Sequence, residues 1–123
     1  MSQLDVRALQ LAKAAVATAL RALLAAAGVQ AHDLAVLHVA GAFGSALRTD
    51  ALAALGVLPS TAVDSSVFVG NASLYGALAM ALSPALIDEA SVRVSEAEHL
   101  DLAASPQFNR SLLENLALKP FRD

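Results

Sequence analysis

Two glycine-containing turns are the parts of this chain best suited to bind a ligand. Each follows a short apolar run and precedes a helical segment: LAVLHVAGAFGSAL over residues 34–47 and SSVFVGNASLYGALAMAL over residues 65–82. A strand that ends in glycine and opens onto a helix N-terminus presents free backbone N–H groups and a positive dipole end. Two such turns on adjacent parallel strands lie at one sheet edge, where open α/β sheets bind ligands. The pattern indicates part of a nucleotide site.

The first turn contains Gly41, Ala42, Phe43 and Gly44. Its glycines either let a ligand approach the backbone closely or simply supply the positive φ of a tight turn. Phe43 either lines an adenine pocket or fills the core, and its residue type alone favours the core. The turn gains weight as a binding motif from its position directly after an apolar strand.

Lys13 is the charged residue that fits its surroundings least. It falls on one face of the predicted first helix among apolar residues at helical spacing: Val6, Leu9, Val16, Leu20, Leu23 and Leu24. Its aliphatic stem can pack there while the ammonium extends to solvent. Alternatively, the ammonium contacts the ribose or phosphate of a ligand. The sequence leaves both interpretations open.

Metal and nucleophilic chemistry find no support in the sequence. With no cysteine, the chain can form no disulfide, iron–sulfur ligation or zinc–thiolate site. Its three histidines, His32, His38 and His99, are scattered without ligands at helical spacing, so no metal site is expected. His38 lies in mid-strand and is predicted to be a core histidine. No nucleophile is paired with a base, so no catalytic residue is assigned.

The composition is unusually apolar for 123 residues. Hydrophobic residues make up 57% and charged residues 15%, whereas ordinary domains contain about 25% charged residues. The chain therefore either buries nearly all of its hydrophobic residues, or it exposes an apolar surface that packs against another domain or another chain. A net charge of -3 argues against nucleic-acid binding. No secretory signal opens the chain, so a cytoplasmic location is expected.

Residues 65–87 contain no charged residue and are a candidate membrane span. About 20 apolar residues can cross a bilayer. However, Gly70-Asn71 and Ser83-Pro84 interrupt this stretch, and such pairs end regular elements. A buried strand followed by a buried helix fits better, and no membrane partner is expected.

The elements that must position these residues alternate between helix and strand. Start and stop signals predict helices over about 2–28, 50–55, 72–82, 83–96 and 105–118, with Asn71 as an N-cap. Apolar runs predict strands over 34–40 and 66–69, and 99–103 is a candidate edge strand. The fold class is α/β, a single domain over residues 1–123 with two or three strands and about five helices. Because its strands are apolar on both faces, the sheet is expected to be part of a larger one.

Two blocks, VLHVAGAFGSALRTDALAALGVLP and VFVGNASLYGALAMALS, resemble the C-terminal part of the ATP-dependent reductive activators of corrinoid proteins. The QLAKAA block and the closing HLDLAASPQFNRSLLENLALKPF look like the same family, so the resemblance covers nearly the whole chain. It implies the ribonuclease-H-like ATPase fold of actin, sugar kinases and heat-shock chaperones. It also implies a two-iron ferredoxin domain upstream and ATP-driven electron transfer to the cobalt of an inactivated corrinoid protein.

The resemblance implies nucleoside contacts from six positions: Lys13, Gly41, Ala42, Phe43, Gly44 and Asn71. The 41–44 turn matches the family's adenosine motif, and Lys13 matches a helix position that faces ribose and adenine. The helix over 71–82 matches the second connecting motif, a hinge between lobes. There Gly76 is expected to let helices approach closely.

The chain departs from the family pattern where the phosphates would bind. Both phosphate motifs, the first connecting motif and the ferredoxin cysteines are missing, so ATP or ADP would be held here through the nucleoside alone. Magnesium, the iron–sulfur cluster and the corrinoid protein partner are expected of a longer protein, and this chain alone is predicted to be inactive. The alternatives are a non-catalytic interaction or oligomerisation module, or part of a sugar kinase or dehydratase activator.

A homodimer is also expected of the isolated chain. Its apolar strands lack further strands to pair with, and an unpaired apolar edge favours association. A closed two-fold pair is the commonest solution. Either the sheet edge or the apolar face of the first helix would be buried.

Overall fold

The structure, a computed structural model, describes residues 2–41, 47–102 and 104–121. Its helices and strands follow one another in the order α1 (Gln3–Ala27), β1 (Leu37–Ala40), α2 (Thr49–Ala54), β2 (Ser66–Gly70), α3 (Ala72–Leu82), α4 (Ala85–Ser95) and α5 (Pro106–Glu114). Short 3₁₀ turns precede both strands, at Ala31–Asp33 and Ser60–Ala62. The predicted α/β class, with two secure strands and five helices, is confirmed.

Local capping residues set the ends of the long helices. Ser2 Oγ accepts from the Asp5 N–H at 3.2 Å, and the Asp5 carboxylate accepts from the Ser2 N–H at 2.7 Å. Gly28 ends α1 in the left-handed region at φ 66°, where glycine carries no Cβ penalty. Ser105 caps α5, whose first residue is Pro106. These signals are local, which is why the sequence predicted them; α5 nonetheless ends at Glu114, before the predicted 118.

The two strands pair in parallel, in the register Leu37↔Ser66, His38↔Val67, Val39↔Phe68 and Ala40↔Gly70. Leu37, Val39 and Phe68 are partly buried on one face, whereas His38 and Val67 are exposed on the other. Among the described residues, this second face of the sheet is therefore partly uncovered. The prediction of a core His38 is wrong for the same reason, since alternate residues of a strand point to opposite faces.

Strand boundaries differ from the prediction where no neighbouring strand is available. Residues 34–36 are not a strand, because Leu34 donates instead to the Ala31 carbonyl in a turn and β1 extends only as far as β2 accompanies it. Residues 99–102 form no strand either; Leu102 and Ser105 make turn hydrogen bonds there. Ala103 lies outside the described residues.

The buried face of α1 is not the predicted one. The residues it buries are Lys13, Ala14, Ala17 and Thr18, which lie against α5. In contrast, Leu9, Val16 and Leu23 of the predicted apolar arc are 36%, 50% and 52% exposed. At 3.6 residues per turn the two faces differ by roughly a quarter turn. The side-chain hydrogen bonds of this face join Lys13, Thr18 and Arg21 to Asn115 at the end of α5.

The chain leaves much apolar surface exposed. Its accessible surface is 8628 Å², whereas a compact monomer of 12.6 kDa exposes about 6,200 Å². Neither α3 nor α4 contains a buried residue, and on α3 the exposed apolar residues are Leu74, Tyr75, Leu78 and Leu82. Of the two explanations for the apolar composition, the structure supports the second: an exposed apolar surface that packs against another domain or another chain.

Gly76 was predicted to mark a close approach of two elements. In the described structure, a Cβ placed at Gly76 would meet no atom within 4 Å. The described part of the chain therefore provides no close contact there. A hinge role for Gly76 during lobe closure remains a prediction.

The uncharged stretch 65–87 forms β2, α3 and the start of α4, as predicted. A different segment, α1, meets the length and composition criteria for crossing a membrane, with 25 residues and a mean hydropathy of 1.4 in its most apolar window. Those criteria are also met by helices packed inside folded domains. The described face of α1 that packs on α5 contains a lysine and a threonine.

Two glycines with similar backbone angles provide a stability test. Gly28 and Gly56 have φ of 66° and 75°, but only at Gly56 would a Cβ overlap another group, the Lys119 carbonyl. Gly28→Ala should cost about 1 to 2 kcal/mol from the left-handed conformation. Gly56→Ala should cost a further 1 to 3 kcal/mol, roughly, from overpacking. Urea unfolding of both variants measures the difference, and equal losses would contradict the packing of residues 119–120 on this turn.

Candidate functional site

The glycines that end the two strands, Gly41 and Gly70, lie together at the carboxyl edge of the sheet. The Gly41 N–H donates to the Gly70 carbonyl at 2.8 Å. Both glycines have positive φ, 126° and 68°. The backbone therefore leaves each strand in a conformation that residues with a Cβ disfavour. A Cβ on Gly70 would approach the Tyr75 ring to 3.3 Å. The predicted juxtaposition of the two strand ends, at Gly41 and Gly70, is confirmed.

Asn71 stands between β2 and α3 as a helix cap. Its Oδ1 accepts from the Leu74 N–H at 3.1 Å, and its backbone carbonyl accepts from the Tyr75 N–H at 3.1 Å. The side-chain oxygen thus satisfies one of the N–H groups that open a helix. The predicted N-cap is confirmed, and this role accounts for Asn71 without a ligand. Its contact with a nucleoside remains a prediction.

Three predicted residues of the first turn, Ala42, Phe43 and Gly44, lie outside the described residues. The description resumes at Leu47, before α2. Arg48, the cation that follows the turn, is exposed and donates from Nε to Asp50 Oδ1 at 3.0 Å. These hydrogen bonds lower the pKa of the Asp50 carboxyl. Arg48 therefore forms a surface ion pair with Asp50 in the first turn of α2.

Lys13 is held by backbone carbonyls. Its Nζ donates to the Asn115 carbonyl at 2.9 Å and to the Ala117 carbonyl at 2.7 Å. The residue is only 4% exposed, so its ammonium does not extend to solvent as one interpretation expected. Burial lowers the pKa of the Lys13 ammonium, and the nearby Arg21 charge lowers it further. Asn115 directly follows α5, so the cation also interacts favourably with the negative end of that helix.

The Asn115 side chain joins α1 to the end of α5. Its Oδ1 accepts from Arg21 Nη1 at 2.8 Å, and its Nδ2 donates to Thr18 Oγ1 at 3.0 Å and to the Ser111 carbonyl at 2.9 Å. The Arg21 guanidinium also lies 4.4 Å from the centre of the Phe121 ring, a cation–π distance. Asn115 is 6% exposed, so these contacts are shielded from water.

A polar cavity of about 160 Å³ adjoins this cluster. Lys13, Arg21, Lys119 and Glu114 contribute to its lining. An ammonium has three N–H donors, and the two bonds to carbonyls leave one for a ligand group. A hydroxyl or an anionic oxygen suits such a cavity. On the other side of Arg21, a more apolar cavity of about 320 Å³ is lined in part by Leu24, Val29 and Phe121.

The predicted site residues therefore fall into two clusters. Gly41 and Asn71 belong to the sheet edge, where the hydrogen bonds of Gly41 lead to β2. Lys13 belongs to the interface of α1 with α5, where its hydrogen bonds lead to residues 115 and 117. Among the residues that the structure describes, no three histidines, cysteines or carboxylates are grouped as metal ligands.

Sequence reasoning missed Arg21, Thr18 and Asn115. Arg21 and Thr18 lie off the leucine-rich arc of α1, so the apolar spacing alone does not place them in a buried face. A signal was present in the spacing, since residues 13, 14, 17, 18 and 21 share one helix face. This face contains two alanines and three polar residues. Such a composition indicates a close helix contact in which the polar side chains form hydrogen bonds. The partner of that face, Asn115, is 94 residues or more away along the chain and left no local signal.

Residues 1–122 match a protein family described as the C-terminal domain of RACo, the ASKHA domain. The chain belongs to this family. The corrinoid activation enzyme RamQ of Eubacterium limosum is 34% identical over 117 residues, which are 94% of this chain and 19% of RamQ. The chain thus spans about a fifth of that relative's length. No solved structure matches. The resemblance to corrinoid activators and the actin-like class of the fold are confirmed.

Replacing the buried Asn115 should destabilise the chain far more than replacing an exposed asparagine on the same helix. Asn115→Ala removes three side-chain hydrogen bonds and leaves buried partners unsatisfied, for a loss of about 2 to 4 kcal/mol. Asn109→Ala is the control, since Asn109 is exposed on α5 and should change stability by about 0.5 kcal/mol or less. Urea unfolding measures both. Equal effects would show that Asn115 does not join α1 to the chain end.

Proposed function

We propose that this chain is the nucleoside-binding part of an ATP-dependent activator that drives reduction of the cobalt of inactivated corrinoid proteins. The observation that carries the proposal is the family match over residues 1–122, together with two strand ends, at Gly41 and Gly70, that meet at one sheet edge. The naming of RamQ as a corrinoid activation enzyme supports the corrinoid part. The corrinoid protein would be contacted by the whole activator, of which this chain corresponds to the C-terminal domain.

The sheet edge is the proposed seat of the nucleoside. Gly41 opens the turn that matches the adenosine motif. Its φ of 126° favours glycine, which has no side chain to obstruct an approaching ligand. Asn71 and the N-terminus of α3 open on the same edge. Parallel strands that end side by side in this way form the crevice in which α/β folds bind ligands.

Lys13 is proposed to contribute its remaining N–H to the ribose or adenine. Its position beside a polar cavity supports this role, and its two carbonyl bonds hold the ammonium in place before any ligand arrives. Pre-organised donors cost less entropy on binding. Since Lys13 and the sheet edge form separate clusters, one nucleoside would have to bridge them.

ATP or ADP is the proposed ligand, and the residues described fit its nucleoside and not its phosphates. Neither phosphate motif is present, and phosphoryl transfer depends on positioning those groups and their magnesium ion. Hydrolysis, the two-iron cluster and the electron path would belong to other parts of the activator. The cytoplasmic location remains a prediction.

The second candidate is an interaction module without a nucleotide role. The unburied α3 and α4 favour it, because exposed apolar surface marks protein contacts. The two functions are compatible, since the glycine turns and the apolar helices use different residues. We also propose that the isolated chain forms a homodimer, because its surface exceeds that of a compact monomer by roughly 2,400 Å².

Nucleoside binding should be weak and independent of phosphate number. Calorimetry with adenosine, ADP and ATP should give similar affinities, because only nucleoside contacts are available. Lys13→Ala should weaken all three by about tenfold, a lost hydrogen bond to a charged group being worth roughly 1.5 kcal/mol or more. Arg7→Ala, an exposed charge removal on the same helix, should have no effect. Absence of binding at millimolar adenosine would contradict the proposal, and a strong preference for ATP would reveal a phosphate site.

The chain alone should not hydrolyse ATP. Without groups to hold the β- and γ-phosphates and magnesium, the positioning that dominates phosphoryl-transfer catalysis is missing. Phosphate release by the purified chain, compared with a Gly41→Val variant, measures this. Turnover by the unaltered chain above that of the variant would disprove the prediction.

A further inference from the structure

The polar cavity that adjoins Lys13, here called the Lys13 cavity, is lined by more cations than anions. Among the described residues, its charged lining consists of Lys13, Arg21, Lys119 and Glu114. Three positive charges against one negative charge leave a net charge of +2 on this lining. A cleft whose walls carry an excess of one sign concentrates ions of the opposite sign, so the Lys13 cavity favours an anionic ligand.

Lys13 is a buried cation whose two hydrogen-bond partners are neutral. Its Nζ donates to the Asn115 and Ala117 carbonyls, and in the part of the chain that the structure describes it forms no ion pair with a carboxylate. A charge that is only 4% exposed is ordinarily paired with an opposite charge. An ammonium has three N–H donors, so one remains for an anion in the cavity.

The pKa of Lys13 reflects the missing opposite charge. Burial lowers this pKa, and the nearby charge of Arg21 lowers it further. Both effects disfavour the charged ammonium, whereas an anion within about 4 to 6 Å would favour it. A bound anion would therefore relieve the cost of holding Lys13 charged beside Arg21.

One residue holds both α1 cations in place before a ligand arrives. The Asn115 carbonyl accepts from Lys13, and the Asn115 Oδ1 accepts from Arg21 Nη1 at 2.8 Å. The Asn115 Nδ2 donates to Thr18 and Ser111, which fixes the asparagine in turn. Donors that are already positioned lose little conformational freedom on binding, so even a small ion can gain from them.

The volume of the Lys13 cavity limits the ligand to a few heavy atoms. The cavity measures about 160 Å³, whereas cavities that enclose drug-sized molecules measure about 300 to 1,000 Å³. A water molecule takes up about 30 Å³, so an ion with about two to four oxygens fits. A nucleoside can place a single hydroxyl group there but is too large to be enclosed.

We infer that the Lys13 cavity binds a small free oxyanion of the carboxylate or phosphate class. One anionic oxygen accepts from the third N–H of Lys13, while Arg21 and Lys119 supply further positive charge. This inference goes beyond the proposed nucleotide function and holds whether or not a nucleoside binds at the sheet edge. Because both ligands use the same N–H, an oxyanion and a nucleoside hydroxyl exclude each other at Lys13.

Calorimetry of this chain with sodium phosphate and with sodium acetate tests the site. Ionic strength is held constant with sodium chloride, so that general screening of charges is the same in every titration. We expect one saturable site per chain for at least one of the two probes, and the tighter probe identifies the class of oxyanion. Absence of saturable binding by both probes would overturn the inference.

Two pairs of matched variants locate the bound ion by opposite changes in affinity. Glu114→Gln removes the carboxylate of the lining and should tighten binding about twofold to fivefold, whereas Lys119→Gln should weaken it by a similar factor. The controls, Glu98→Gln and Arg110→Gln, make the same charge changes at exposed residues outside the described lining and should leave the affinity unchanged. Controls that shift the affinity as much as their counterparts would show adventitious surface binding only and overturn the site.

Lys13→Met tests the buried donor itself. Methionine has a similar length but no N–H, so binding should weaken about tenfold or more, because a hydrogen bond between two charged groups is lost. Circular dichroism checks the fold, since the Asn115 and Ala117 carbonyls lose their donor. If the variant unfolds, Glu114→Gln decides, because tighter binding cannot arise from lost structure. Unchanged affinity in a folded Lys13→Met chain would overturn the inference.

Calorimetry with adenosine separates this site from the proposed function. Binding of phosphate or acetate without binding of adenosine would support the Lys13 cavity as an oxyanion site and contradict the nucleoside proposal. Binding of adenosine without binding of either ion would overturn the oxyanion site and leave the nucleoside proposal in place.

Discussion

The buried contact between Lys13 and the end of α5 is the interaction on which the rest of this structure depends. A cation that is 4% exposed must find hydrogen-bond partners, because an unpaired buried charge is very costly. The Asn115 and Ala117 carbonyls provide them. The partners are more than 100 residues apart in sequence, so this contact joins the first helix to the last residues that the structure describes.

The chain end also contacts the middle of the domain. Asn115 and Phe121 are fixed against Arg21, and the carbonyl of Lys119 between them lies against Gly56 at the end of α2. The segment 115–121 therefore links α1 with the part of the chain that follows the first glycine turn. A polar network with few alternatives imposes this arrangement more strictly than apolar contacts would, since every buried donor and acceptor must be satisfied.

Such a network matters more here because the apolar core is small. In the part of the chain that the structure describes, most of the buried hydrophobic residues are alanines: Ala14, Ala17, Ala31, Ala53 and Ala62, beside Leu58 and Phe121. Alanine buries little area, so the hydrophobic contribution to stability is limited. The larger apolar side chains of α1, α3 and α4 are left for contacts with other surfaces. A domain of this kind suits an assembly in which its exposed helices meet further structure.

The sequence by itself determined what depends on neighbouring residues. Ser2 with Asp5, Asn71, and Ser105 with Pro106 predicted helix starts, because capping joins atoms three residues apart. Gly41 and Gly70 predicted two strand ends at one edge, because parallel pairing brings like ends together. The family followed from the blocks around these turns.

Only the tertiary structure decided what depends on distant partners. Which face of α1 is buried follows the hydrogen bonds of Lys13, Thr18 and Arg21 to Asn115 at the end of α5, and not the number of leucines. His38 is exposed because nothing described covers that side of the sheet, and residues 99–102 form no strand because a strand requires a neighbour to bond with. The position of the Lys13 ammonium followed from carbonyls at the far end of the chain. Helical periodicity records that a face is apolar, whereas the element that covers it is fixed by packing and hydrogen bonding in three dimensions.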